Sequence, residues 1–198
     1  MRISSDEITA QRVFRQILQT MSRPGRICTL PVSPPALRKP WGVLLLLLES
    51  LLDHEVSIAV IGGGEAERLP ARITERTQCR VADVGQADFV IVADGESRGE
   101  VLRAKRGTLQ YPDASATIVF RVRSLVSTGR AQSVAILKGP GIRDELMLGA
   151  IRGLAARELD WLRDANADFP LGVDAVFVDD AGRILGIPRS TDIRVMEC

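Results

Sequence analysis

Histidine, lysine and cysteine are all scarce in this 198-residue chain, and each scarcity removes a class of chemistry. The one imidazole, His54, sits in Asp53-His54-Glu55, and no GxSxG elbow supplies a serine for it to activate. Its charged neighbours mark a solvated helix end, where a cationic ring is favoured without any catalytic role. Cys28, Cys79 and Cys198 are odd in number and far apart, which excludes a disulfide framework, a CxxC pair and an iron–sulfur ligand set. One imidazole and scattered thiols also argue against a metal centre. Lys39, Lys105 and Lys138 are the three lysines, so a mechanism needing an amine has three candidates. No GxxxxGK[ST] loop is present. Basic and acidic residues balance, 26 against 25, which removes the simplest case for nucleic acid. Trp41, Trp161 and Tyr111 do not interleave with basic residues as a base-stacking platform requires. The apolar run from Gly42 to Leu48 stops at Glu49, far short of the ~20 residues a bilayer demands. The first residues, Met-Arg-Ile-Ser-Ser-Asp-Glu, carry no apolar signal core, so a cytoplasmic protein without a membrane anchor is expected.

What remains is an apolar content of 45% with 26% charged residues, the proportions of a globular domain, and we expect a single domain over residues 1–198. Ser4 and Glu7 fit a capping box. Ala10, Phe14, Ile17, Leu18 and Met21 then recur at helical spacing until Pro24-Gly25 ends the helix. Pro31 to Pro40 reads as a connector, and Trp41 to Asp53, apolar nearly all round, as a helix buried on several sides. Val56 to Ile61 predicts a strand, Glu65 to Glu75 a weak helix, and Glu96 to Lys105 a short surface helix. Further strands are expected at Phe89 to Ala93, Ala116 to Val122, Val134 to Lys138, Ala175 to Val178 and Ile193 to Met196. The longest helix is expected from Asp144 to Ala165. Strands apolar on both faces, interleaved with helices, predict an α/β fold. The specific expectation is a three-layer α/β/α sandwich around a mixed, largely parallel sheet.

The candidate functional residues lie on turns. Met21-Ser22-Arg23-Pro24-Gly25 gathers a guanidinium and one hydroxyl on a rigid turn, and Pro188-Arg189-Ser190-Thr191 a guanidinium and two, each suited either to an anion or to no more than a surface bend. Gly139-Pro140-Gly141 follows a strand and precedes the expected long helix, which suits a structural turn or, alternatively, an anion cradle or subunit contact, although Asp144 and Glu145 oppose Arg143 nearby. Asp174 begins a strand and needs donors if buried; Arg189 or backbone amides are the candidates, with catalysis as the alternative. Gly62-Gly63-Gly64 reads as a tight turn, since Glu65 and Glu67 would repel a pyrophosphate. Asp179 and Asp180 read as solvent-facing residues of a hairpin turn. Ser22, Arg23, Gly25, Gly139, Gly141, Asp174, Arg189 and Thr191 are therefore the expected anion-binding or partner-contact positions; none is expected to be catalytic.

An ordered set of motifs spans nearly the whole chain: Phe14-Arg15-x-x-Leu18-x-x-Met21-Ser22-Arg23-Pro24-Gly25, Leu51-Leu52-Asp53, Gly107-Thr108 through Tyr111-Pro112-Asp113 to Ala116-Thr117, Leu137-x-Gly139-Pro140-Gly141-Ile142, Phe169-Pro170-Leu171-Gly172-Val173-Asp174 and Ile187-Pro188-Arg189-Ser190-Thr191. This set resembles the PhnH family, a subunit of the carbon–phosphorus lyase system of phosphonate catabolism. The resemblance implies a fold related to the large domain of PLP-dependent transferases but without that cofactor. It also implies a homodimer, partners PhnG, PhnI and PhnJ in a core complex, and participation in making α-D-ribose 1-methylphosphonate 5-triphosphate from ATP and methylphosphonate. The radical iron–sulfur centre would belong to PhnJ. The expected role is that of an accessory subunit without a cofactor of its own; the rival is a subunit lending Arg23, Arg189 and the Gly139-Pro140-Gly141 amides directly to the transferred triphosphate. Lys138, at a strand end, leaves open a vestigial cofactor lysine.

Overall fold

The structure, a computed structural model, describes residues 5–31, 41–125 and 133–196. Ser4 of the capping box, most of the proline-rich connector with Lys39, and Cys198 lie outside the described residues. Helix α1 spans Ser5–Ser22, α2 Gly42–Glu49, α3 Leu69–Thr77 and α4 Glu158–Ala165. The main sheet is built from β1 (Cys28–Thr29), β2 (Ser57–Ile61), β3 (Arg80–Val81), β4 (Phe89–Val92), β5 (Thr117–Val122), β10 (Asp174–Asp179) and β11 (Arg183–Ile187). Its order is β1-β11-β10-β5-β4-β2-β3. The pairs from β10 through β3 are parallel, and β11 and β1 add an antiparallel edge. A mixed, mostly parallel sheet in an α/β chain is what the alternating pattern predicts.

The central strands are apolar in nearly continuous runs because both faces of the sheet are covered. On one face Ile58, Ile91, Val119, Val176 and Val178 meet α1, α2 and α3. The run from Val43 to Leu48 belongs here: Val43, Leu44, Leu45, Leu47 and Leu48 are all buried, so this stretch packs into the chain's own core rather than standing ready for a partner. On the opposite face Phe120 and Phe177, cross-strand neighbours on β5 and β10, stack with centroids 4.9 Å apart. Among the described residues this face is not a full helical layer. It is covered by α4, by a 3-10 turn at Glu100–Arg103 and by a second sheet of β12 (Asp192–Val195), β7 (Ser133–Lys138) and β8 (Leu146–Gly149), all antiparallel. A two-stranded pair, β6 (Ser124–Leu125) with β9 (Ile151–Arg152), flanks it.

The expected helix from Asp144 to Ala165 is corrected by this second sheet. Residues 146–149 form β8 and residues 151–152 form β9; only Glu158–Ala165 is helical. Gly149 and Gly153 interrupt the helical stripe, and Leu146, Met147 and Leu148 find paired positions beside Leu137, Ile136 and Ala135. Strand pairing and burial here outweigh a modest helical propensity. Helix α1 is also displaced from expectation. Val13, Ile17 and Thr20 face inward, whereas Phe14 and Leu18 stay exposed.

Candidate functional site

Three of the turns singled out in the sequence come together at one end of the molecule. The turn after α1, the turn after β7 and the turn between β11 and β12 pack on one another backbone to backbone. A side chain on Gly141, whose φ is +83°, would overlap the Ser22 carbonyl oxygen. A Cβ on Gly139 would lie 2.7 Å from the Ser190 carbonyl oxygen. Glycine is thus required at these two positions by close approach, and at Gly141 by a left-handed backbone as well. Gly25 donates its N–H to the Gly186 carbonyl at 3.0 Å and faces Leu137 and Leu146. Thr20, fully buried in the last turn of α1, accepts from the Gly186 N–H at 2.9 Å and donates to the Arg26 carbonyl at 3.1 Å. The sequence reading missed Thr20; a lone threonine among the inward positions of the helix was the available signal.

Asp174 and Arg189 form the ion pair at the base of this assembly. Arg189 Nη2 donates to Asp174 Oδ2 at 2.6 Å, and its backbone N–H donates to Oδ1 at 2.8 Å. Arg189 Nε reaches Oδ1 at 3.3 Å, and Nη1 donates to the Pro112 carbonyl. Both side chains are mostly buried, at 17% and 23% exposure. A bidentate pair with a third backbone acceptor ties β10, the loop before β5 and the Pro188 turn together. Asp174 thus takes the ion-pair alternative, with Arg189 as its donor. Thr191 is buried, and its hydroxyl has no hydrogen-bond partner among the described residues. Ser22 and Arg23 are exposed. Arg189, Ser190 and Thr191 also line a cavity of about 350 Å³, shared with Asn166, Phe169 and Asp192.

Other expected features separate from this cluster. Lys138 is exposed and pairs with Glu145 at 3.4 Å, and Lys105 donates to Asp88, so neither is a buried free amine. Asp88 loses some solvation to burial, but Lys105 and the Ser57 hydroxyl and N–H hold its carboxyl below the usual range. His54 is exposed beyond the end of α2. Gly62-Gly63-Gly64 leads into a 3-10 turn, and Gly62 and Gly63 line, with Asp94, Glu96, Ser97 and Arg98, a cavity of about 300 Å³ at the carboxyl ends of β2 and β4. Among the described residues no three His, Cys, Asp or Glu side chains are grouped so as to hold a metal ion, and no helix is long and apolar enough to cross a membrane.

Two carboxylates were misjudged or missed. Asp179 is not solvent-facing: it is 1% exposed and accepts from the backbone of Leu125, Ala181 and Arg183 and from Arg183 Nε, all within 2.7–3.0 Å. Its neighbour Asp180 is the exposed member of the pair and holds Arg121. Glu158 is wholly buried and accepts from the Ser97 N–H at 2.6 Å and from its hydroxyl. Burial pushes the Glu158 carboxyl up, against the Ser97 hydrogen bonds and with the help of Glu96 and Asp94. Sequence spacing gives no hint of this contact, which spans 61 positions.

Comparison with known proteins agrees with the family resemblance. The chain is 32% identical over 188 residues to a protein of Stutzerimonas stutzeri named "Putative C-P lyase subunit protein HtxG", covering 93% of this chain and 86% of the relative. It is 29% identical over 188 residues to "Alpha-D-ribose 1-methylphosphonate 5-triphosphate synthase subunit PhnH" of Rhizobium meliloti (strain 1021), covering 93% and 90%. Residues 3–194 match the family described as "Bacterial phosphonate metabolism protein (PhnH)". A match over residues 3–194, which takes in all three packed turns, places this chain in the PhnH family of bacterial phosphonate metabolism proteins.

Proposed function

We propose that the chain is an accessory, non-catalytic subunit of a carbon–phosphorus lyase core complex, acting with PhnG, PhnI and PhnJ. In this reading it is a cytoplasmic homodimer, needed for the formation of α-D-ribose 1-methylphosphonate 5-triphosphate from ATP and methylphosphonate. Kinship with the large domain of PLP-dependent transferases, without the cofactor, belongs to the same proposal. The names of the two relatives support the assignment to the system. The observation that carries the accessory role is the state of Arg189. Three of its side-chain nitrogens are engaged by Asp174 and the Pro112 carbonyl, so the guanidinium joins parts of the chain instead of waiting for a phosphate. Position supports this too. Asp174 opens β10, at the amino end of a parallel strand, whereas open α/β sheets bind ligands beyond the carboxyl ends.

The rival, direct supply of phosphate-binding groups, is favoured by the cavity beside Arg189, Ser190 and Thr191 and by Arg23, which is exposed with no ion pair among the described residues. Arg23→Ala separates the two, since it leaves the buried pair untouched. The purified chain alone is expected to convert neither ATP nor methylphosphonate, and cells lacking it are expected to lose growth on methylphosphonate. In complemented cells, an Arg23→Ala complex that assembles on a sizing column but has lost turnover would favour the rival. Turnover by the isolated chain would overturn the accessory reading.

A further inference from the structure

Helix α1 carries a surface that the rest of the described chain does not use. Phe14 and Leu18, spaced i and i+4, are 41% and 53% exposed although the inner face of the helix is filled by Val13, Ile17 and Thr20. Beside them on the outer side stand Arg12 and Arg15, both exposed. Neither has an ion pair or side-chain hydrogen bond among the described residues, in contrast to the arginines at 76, 103, 106, 121, 163, 183 and 189.

The sequence explains why. From Ile8 to Leu48 it holds no Asp or Glu, but it does hold Arg12, Arg15, Arg23, Arg26, Arg38 and Lys39. The helical neighbours of Arg12 at three and four positions are Ile8, Thr9, Arg15 and Gln16; those of Arg15 are Gln11, Arg12, Leu18 and Gln19. No carboxylate stands at any of these positions, and the two arginines are themselves a like-charged i, i+3 pair that disfavours the helix slightly. An aromatic and a leucine flanked by desolvatable guanidinium groups is the composition of an interface anchor rather than of a solvated face.

We infer that the outer face of α1 docks a protein subunit whose matching surface combines an apolar pocket with carboxylates. Phe14 and Leu18 enter the pocket, as helix anchors enter a groove, while Arg12 and Arg15 pair with the acidic rim. Charge complementarity selects this occupant. A second copy docking through the same face in a two-fold dimer would set arginines against arginines. A nucleic acid would satisfy the arginines but leave Leu18 without a partner. The inference rests on the accessory-subunit reading and specifies which surface serves it.

The test uses the full chain co-expressed with PhnG, PhnI and PhnJ, followed by affinity measurement on the purified components at two salt concentrations. Arg12→Glu/Arg15→Glu is expected to weaken binding at least roughly tenfold at low salt and to flatten the salt dependence, as loss of charged rim contacts does. Phe14→Ser/Leu18→Ser is expected to weaken it by a similar factor at both salt concentrations. Helix content by circular dichroism controls for folding, and Arg12→Lys/Arg15→Lys should recover most of the salt-dependent part. If the parent chain joins the complex and Arg12→Glu/Arg15→Glu joins it equally well, the docking face is wrong and the accessory reading stands. If the parent chain joins no partner, the accessory reading falls and takes this inference with it. Loss of self-association by the charge-reversed variant in sedimentation would assign the face to a second copy instead. Parent binding to duplex DNA or to phosphatidylglycerol vesicles at physiological salt, abolished by the reversal, would likewise overturn the inference.

Discussion

Arg189 and Arg12 are the same residue type put to opposite uses. Arg189 lies in the C-terminal half, mostly buried, with Asp174 and the Pro112 carbonyl around it. Arg12 lies on the outside of α1 with no carboxylate at its helical neighbours. The contrast extends to their surroundings. The turns near Arg189 are fixed by glycines pressed against backbone carbonyls, while the outer face of α1 leaves Phe14 and Leu18 in solvent. One region pairs its buried charges internally and is built to hold shape. The other keeps both charge and apolar surface unsatisfied and is built to meet something else.

The contrast can be broken most severely at the ion pair. Arg189→Ala leaves Asp174 mostly buried without its cation and should cost about 3 kcal/mol of unfolding free energy in urea titrations. The loss should shrink when Asp174→Asn is combined with it, because the unpaired charge is then gone. Gly141→Ala adds a Cβ against the Ser22 carbonyl at a left-handed backbone position, and should cost about 2 kcal/mol in the same assay. Glu158→Gln is a smaller change, within about 1 kcal/mol at neutral pH, and its signature is the pH profile. With the Glu158 carboxyl pushed up in the folded protein, the parent gains stability from this group as pH falls toward its ordinary 4.5 and loses it as pH rises through the folded value. The glutamine variant lacks that slope, so the difference between the two proteins should turn in its favour as pH rises. Asp88 acts in the opposite sense: its carboxyl is held down, so the stability it contributes above 3.8 disappears on further acidification. Smallest of all, Arg12→Ala/Arg15→Ala should leave the unfolding free energy within about 0.5 kcal/mol, with a slight gain at low salt as the repulsion is relieved. A large destabilisation there would mean that these arginines serve the fold, and the contrast with Arg189 would collapse.

Sequence patterning carried the long apolar strands well. Ile58, Val90, Ile118 and Val176 all stand where β-branched runs predicted strands, because a strand buried on both faces has a composition that little else shares. Residues 146–152 were not legible in the same way. Leu, Met, Ala and Arg favour helix locally, and only the presence of β7 beside residues 146–149 and of β6 beside residues 151–152 makes them strands. The wide stripe of α1 misled for a related reason, since periodicity names an apolar arc but not how much of it the core can cover. Of the candidate site, the turn residues and the Asp174–Arg189 pair were visible as motifs. The hubs at Asp179 and Glu158 were not, because an acid's burial depends on donors contributed by remote segments such as Leu125 and Ser97.

The antiparallel edge of the main sheet has a bearing on how this protein comes to be folded. Strand β1 near the start of the sequence is hydrogen-bonded to β11, where Cys28 faces Ile184, and β7 shares its ladder with β12. A nascent polypeptide emerging from the ribosome therefore holds β1 without its sheet partner, and β7 with β8 on one side alone, until β11 and β12 have been synthesised. Long-range closure of this kind slows assembly and leaves sticky edges open meanwhile. Chaperone protection during synthesis, and abrupt loss of solubility when residues 183–195 are removed, are the corollaries of that late-arriving seam.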